Sequence, residues 1–137
     1  MIPVLVDSNV ILDVAYDDPY WGAWSEVAIR QAADAAVLVI NPIIYAEVSI
    51  GYARLEDVEA VLPAHRFRRE PLPYEAAFLA GKAFLDYRRR GGPRTSPLPD
   101  FYIGAHAAVR EYRLLTRDMR RFRTYFPTVE LIAPERQ

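Results

Sequence analysis

The chain of 137 residues has no cysteine, one lysine, two histidines and no long hydrophobic run. Without cysteine, disulfides and thiolate metal sites are excluded, and a bound cation would be a hard one held by oxygen. No window reaches the roughly 18 uncharged apolar residues of a membrane span. The N-terminus lacks the basic region and small-residue cleavage site of a signal peptide, so the cytoplasm is the expected compartment. Repeats, low-complexity tracts and domain-scale linkers are missing too. One domain over residues 1–137 is therefore expected, long enough to bury a substantial core. An apolar content of 52% with 26% charged residues suits a globular fold.

What is present is unevenly placed. The net charge is −1, yet residues 1–62 hold ten acids against Arg30 and Arg54. Residues 82–123 hold eleven bases against Asp86, Asp100, Glu111 and Asp118. Such a split gives a strong local field although the total is near zero. It reads either as solvated helix faces or as a rim for a polyanion. Nearly all the bases are arginine, which suits phosphate contacts.

Short apolar segments alternate with helical ones. Strands are expected at 3–6, 37–40, 113–116 and 129–132, the first two apolar throughout. Helices are expected from Asn9, over 21–35, from Pro42 to about Gly51, over 55–62, 73–90 and 100–112, and around Arg120 and Arg121. Asn41-Pro42 is a helix start, with Asn as N-cap and Pro at the first helical position. The alternation specifies an α/β fold, a parallel sheet covered on both faces. Sites in such sheets lie beyond the carboxyl ends of the strands.

Four carboxylates stand where apolar segments should not tolerate a charge. Asp7 ends the first strand, and Asp118 closes the run Leu114-Leu115-Thr116-Arg117-Asp118. Glu47 is the only charge between Asp34 and Arg54, and Asp100 the only one between Arg94 and Arg110. Asp100 and Asp118 each read equally as helix caps, and Asp7 could start an Asx turn with Asn9. Glu47 has no nearby base to pair with; spacing puts it on a helix face with Ile43, Ile50 and Gly51, expected to turn inward. Gly104 is expected to leave room beside Asp100. If the four converge, each pair at about 5 Å costs roughly 3 kcal/mol at an effective dielectric near 20. They would protonate or repel unless a divalent cation compensated them, and Mg2+ or Mn2+ suits such oxygen ligands.

Other residues read more plainly. His106 lies about 240° around its helix from Asp100 and points away from it; His65 and His106 read as structural or surface residues. Asp13, Asp17 and Asp18 are placed on an exposed helix end and loop. The aromatic segment 16–24 reads as core anchoring, with a partner surface as the alternative. Arg88, Arg89, Arg90, Arg94 and Arg117 could hold phosphates at a rim.

Val4-Leu5-Val6-Asp7-Ser8-Asn9, Glu47, Asp100 before Phe101-Tyr-Ile-Gly-Ala-His-Ala, and Leu114-Leu-Thr-Arg-Asp118 together resemble a PIN-domain ribonuclease. The resemblance is to VapC-type toxins of type II toxin–antitoxin modules and covers essentially the whole chain. It implies a three-layer α/β/α domain with a central parallel sheet. Asp7, Glu47, Asp100 and Asp118 match the family's acidic, metal-holding positions, with Asn9 and Thr116 as polar helpers and Ser8 beside Asp7. It implies a metal-dependent endoribonuclease using Mg2+ or Mn2+, a homodimer, and a small antitoxin partner. One departure is Met119-Arg120-Arg121, where many relatives place a further acid. A non-catalytic PIN-like domain that binds RNA or protein is the alternative. A phosphoacceptor receiver domain would need a lysine after the late strand, whereas Lys82 lies within a helix.

Overall fold

The computed structural model describes residues 1–93 and 98–135. Five parallel strands form one sheet in the order β3-β2-β1-β4-β5: β1 is Val4–Val6, β2 Leu38–Ile40, β3 Arg68–Arg69, β4 Arg113–Leu115 and β5 Leu131–Ile132. The central strands are the apolar runs. Every residue of β1 and β2 is buried, as are Leu114 and Leu115, which is why alternation is absent from their sequences. The helices are α1 Ser8–Ala15, α2 Gly22–Ala35, α3 Pro42–Ser49, α4 Leu55–Val61, α5 Tyr74–Arg89, α6 Pro99–Arg110 and α7 Arg120–Tyr125. The α/β expectation holds, and most boundaries move by a residue or two.

Strand order decides where a site can form. The chain builds β1, β2 and β3 in one direction, then returns to place β4 on the other side of β1. Between β1 and β4 the order reverses, leaving a crevice at their carboxyl ends. Val6 is in register with Leu115, and the Asp7 N–H donates to the Leu115 carbonyl at 2.9 Å. Asp7 and Thr116, the residues next after each strand, are thereby brought side by side.

Two helices deliver Glu47 and Asp100, and the loop after β4 carries Asp118. The Asn41 side chain accepts from the Ile44 N–H at 2.9 Å and caps α3 as expected. The inward face of α3 is Ile44 and Val48; Ile50 and Gly51 are exposed, contrary to the spacing argument, because the helix ends at Ser49 and the chain turns outward. Helix α6 is pinned at its start by Phe101, fully buried among Phe84, Tyr87, Tyr125 and Phe126 at centroid distances of 5.2 to 6.5 Å. Asp100 immediately precedes this anchor. Gly104 does not make room for Asp100: a Cβ there would overlap the Phe126 ring, so the glycine admits Phe126 instead. Strand β3 has no counterpart in the sequence reading. It is two exposed arginines, held by backbone pairing to Val39 and Ile40.

Among the described residues, no helix is long and apolar enough to cross a membrane.

Candidate active site

Asp7 is the most constrained of the four acids. Its backbone begins α1, with the Asp7 carbonyl accepting from the Val10 N–H, but its side chain makes no capping bond. The carboxylate is free of that local duty and is almost wholly buried. Thr116 Oγ donates to Asp7 Oδ2 at 2.8 Å, and Ser8 Oγ lies 3.4 Å from Oδ1. The same Ser8 hydroxyl donates to Glu47 Oε1 at 2.8 Å, joining α1 to α3. Asn9 Nδ2 is 3.4 Å from Thr116 Oγ1, which also accepts from the Asp118 N–H at 3.1 Å. Ser8, Asn9 and Thr116 thus form one hydroxyl and amide layer beneath the acids.

The cap readings of the other aspartates fail. Leu98 is the N-cap of α6, which places Asp100 inside its first turn without a capping bond. Met119 takes the same role for α7, so Asp118 is an exposed loop residue. Neither side chain is therefore committed to a helix end.

Electrostatics tie them together. Burial, reinforced by Asp100 and Glu47 and only partly offset by the Thr116 hydrogen bond, pushes Asp7 up to about 7. Burial also raises Glu47, with Asp100 adding to it against the Ser8 hydrogen bond. Asp100 is raised by burial and by Asp118, while Arg121 opposes the shift. Arg121 Nη1 lies 3.4 Å from Asp100 Oδ2, with its guanidinium over the Tyr87 and Phe101 rings. Asp7, Glu47 and Asp100 are each raised by at least one other acid of the group. One arginine meets them from the side.

The donor set suits a hard divalent cation. All the candidate ligands are carboxylate oxygens, and Asp7 stays protonated to near neutral pH without a compensating charge. Yet among the described residues no three Asp, Glu or His side chains form a ready-made ligand cage. Cation binding would have to draw the carboxylates inward.

The surrounding charges divide. Arg117 Nε donates to Asp13 Oδ2 at 2.7 Å, and Ser25 Oγ donates to the same oxygen at 2.7 Å. Asp13 is thus buried, not exposed as the sequence suggested, because α2 and the loop after β4 both close over it. Its position on α1, four residues past Asn9, was the one available signal. Arg88 and Arg90 lie over the Phe84 and Tyr125 rings, and Arg90 pairs with Asp86 at 3.2 Å. Arg89 ends α5 and is exposed; Arg94 lies outside the described residues. His106 is fully buried and structural, bonded to Asn41 and Glu70, while His65 is exposed. Tyr16 and Tyr20 are exposed, so the aromatic segment is not all core.

Comparison with known proteins agrees with this geometry. Residues 4–126 match the PIN domain family. The chain belongs to that family. Its fold is similar to a chain of VapBC2 from Rickettsia felis bound to a DNA fragment from its promoter. That match has 16% identity and a TM-score of 0.73, and covers 96% of this chain and 98% of the other. It is likewise similar to a chain of DNA-bound VapBC from Salmonella typhimurium, at 21% identity, TM-score 0.71, and coverage of 97% and 98%. A third likeness is to FitAcB from Neisseria gonorrhoeae, at 20% identity, TM-score 0.63, and coverage of 98% and 99%. No curated protein sequence matches the chain.

Proposed function

We propose that this PIN-domain chain is a Mg2+- or Mn2+-dependent endoribonuclease of the VapC type, the toxin of a toxin–antitoxin pair. The observation that supports it most is Asp7, an acid buried between two strand ends with Glu47 and Asp100 raising it further. A merely structural domain gains nothing from such repulsion, whereas perturbed acids in a cleft are the mark of a working site.

Asp7, Glu47, Asp100 and Asp118 would hold the cation. A bound divalent cation supplies Lewis acidity to a phosphoryl oxygen and makes water a better nucleophile. The chain's own residues do the rest. Thr116 and Ser8 orient the Asp7 and Glu47 carboxylates by donating to them. Asn9 fixes the loop after β4 through the Thr116 hydroxyl and the Arg117 N–H. The RNA would be met at the rim by arginines, Arg117 first among them.

The proposed partners are a small antitoxin, placing a basic side chain against the acids, and a second copy of the chain. Complexes named for both components among the similar structures support the first. Ile50, Tyr74 and Phe78, large apolar side chains left exposed, offer surface for such contacts.

The test is cleavage of structured RNA by purified protein. We expect cutting with Mg2+ or Mn2+ that EDTA abolishes and Asp7→Asn lowers at least about 100-fold, the scale for losing a key electrostatic group. Cutting that survives either treatment refutes the metal site. Binding without cutting, across several RNA classes and metals, identifies a non-catalytic binding domain instead.

A further inference from the structure

The acid crevice adjoins a recess of about 470 Å³ lined by Asn9, Trp21, Arg117, Asp118 and Arg120. Two of these, Asn9 and Asp118, belong to the site already described. The other three are an indole and two guanidinium groups. From this juxtaposition we propose that the recess binds one nucleotide of a single-stranded RNA, next to the phosphodiester presented to the acids. Its base lies against the Trp21–Arg117 pair and its phosphate meets Arg120. The location of the scissile bond rests on the nuclease reading; the nucleotide site itself does not.

The recess is built before any ligand arrives. The Trp21 backbone N–H donates to Asp18 Oδ2 at 2.7 Å, and the Trp21 ring meets Tyr20 and Trp24 edge-on. Arg117 is held twice: its N–H lies 3.5 Å from Asn9 Oδ1, and its Nε donates to Asp13 Oδ2. Its guanidinium stands 5.8 Å from the Trp21 ring centre. Asp13 is shut in, its side chain 4% exposed against 33% for Arg117. A buried carboxylate with two donors is a costly way to tether a loop. What it achieves is a fixed guanidinium whose terminal nitrogens make no hydrogen bond among the described residues. Pre-ordering of this kind removes entropy that a ligand would otherwise have to supply.

The chemistry favours a nucleotide. Bases stack on aromatic rings and on arginine planes in single-stranded recognition, and guanidinium groups match phosphate geometry. An acidic peptide would satisfy the arginines but leave the indole without a purpose. Asp13 is then a positioning residue, acting through Arg117.

The experiment uses the full chain in EDTA, where binding is read without cleavage. The two tryptophans are Trp21 and Trp24, so Trp24→Phe isolates Trp21 fluorescence. Titration with a short single-stranded oligoribonucleotide should quench it saturably. Trp21→Ala, with affinity followed by a labelled oligonucleotide, should weaken binding about tenfold, the scale of one lost stack. Arg117→Gln and Arg120→Gln should each weaken it and flatten the slope of log affinity against log salt by about 0.7. Asp13→Asn should weaken it several-fold with the slope unchanged, because the Arg117 charge remains but is no longer aimed. That split separates positioning from structural damage. Arg120 is exposed, so its variant keeps the idea testable if Asp13→Asn misfolds. Affinities within twofold of the parent in these variants overturn the proposal, as does Trp21 quenching by an acidic peptide and not by RNA. Binding through these residues in EDTA, with no cutting once Mg2+ or Mn2+ is supplied, sinks the nuclease and leaves the subsite; cutting with the metal and unaltered binding in the variants does the reverse.

Discussion

Among the described residues, the polar groups around Glu70 and those around Asp7 are balanced in opposite ways. Around Glu70 every group has a complement. Arg68 Nη2 donates to Glu70 Oε2 at 2.8 Å, Tyr112 Oη donates to the same oxygen at 2.6 Å, and His106 Nε2 lies 3.3 Å from Oε1. Asn41 caps α3 through its carbonyl oxygen, so its amide must donate to His106 Nδ1 at 2.9 Å. That leaves the imidazole neutral with its proton on Nε2, facing Glu70. Burial pulls His106 down; Tyr112, Arg68 and His106 together hold Glu70 below its usual range despite burial. Around Asp7 the balance is missing. Acids face acids, hydroxyls soften the repulsion, and among the described residues the cation paired with one of the four acids is Arg121, on Asp100. A satisfied network supports the fold; an unsatisfied one awaits a ligand.

The largest effect should come from neutralising Asp7. A carboxyl raised from 3.8 to about 7 binds more protons folded than unfolded. Its contribution is fully present below pH 3.8 and is lost as pH rises through about 7. In EDTA at pH 8, Asp7→Asn should therefore stabilise the protein, by roughly 4 kcal/mol for a shift of this size. The gain should shrink on acidification and vanish near pH 3. Thermal melts across pH read this directly; a destabilised variant at pH 8 would mean that Asp7 is an ordinary satisfied acid. Saturating Mg2+ should narrow that gap, stabilising the parent by about 2.7 kcal/mol at a hundred times its dissociation constant and leaving Asp7→Asn where it was.

The Glu70 cluster should answer with the opposite sign. Its acid is depressed and its histidine is held neutral, so both contribute stability above their unfolded values and lose it as pH falls. Glu70→Gln should cost roughly 2 kcal/mol, since charge-assisted bonds to Arg68 and Tyr112 become ordinary ones. The loss should be largest at neutral pH and fade below about pH 4, with RNA cleavage by the folded fraction unchanged. A variant of full stability and reduced cleavage would place Glu70 in the working site and erase the contrast.

The two regions also differ in how far the sequence announced them. Asp7, Glu47, Asp100 and Asp118 were visible because each interrupts an apolar run or ends a strand, and strand order then brought Asp7 beside Thr116. The central strands were visible for the same reason, as unbroken apolar segments. The Glu70 cluster left no such trace. Its members come from β3 and the residue after it, the N-cap of α3, α6 and the turn before β4, and β3 is two exposed arginines with no period to read. Asp13 was misplaced because α1 is too short for its faces to declare themselves, and its partner Arg117 is 104 residues away. Gly104 was assigned to the wrong neighbour: a glycine in a helix signals a close approach but does not say by what. Local pattern reveals a charge in an apolar run; it cannot reveal which distant residue answers it.

Arg121 is the point where the two kinds of balance meet, and it should give the smallest effect. It supplies a cation to Asp100 at 3.4 Å, but both side chains are about one-third exposed, 33% and 28%. Ion pairs of that exposure contribute roughly 0–1 kcal/mol. Arg121→Met should therefore change the melting temperature little. Its effect should appear in cation binding instead, because it removes a positive charge from the edge of an acidic crevice. Mg2+ or Mn2+ affinity should rise about two- to fivefold at low salt, with the gain shrinking toward 0.5 M salt as screening shortens to a few ångströms. Calorimetric titration in the absence of RNA measures this apart from any activity. A fall in affinity would show that Arg121 holds Asp100 in the orientation the cation needs, making it part of the support for the acids and not a competitor for them.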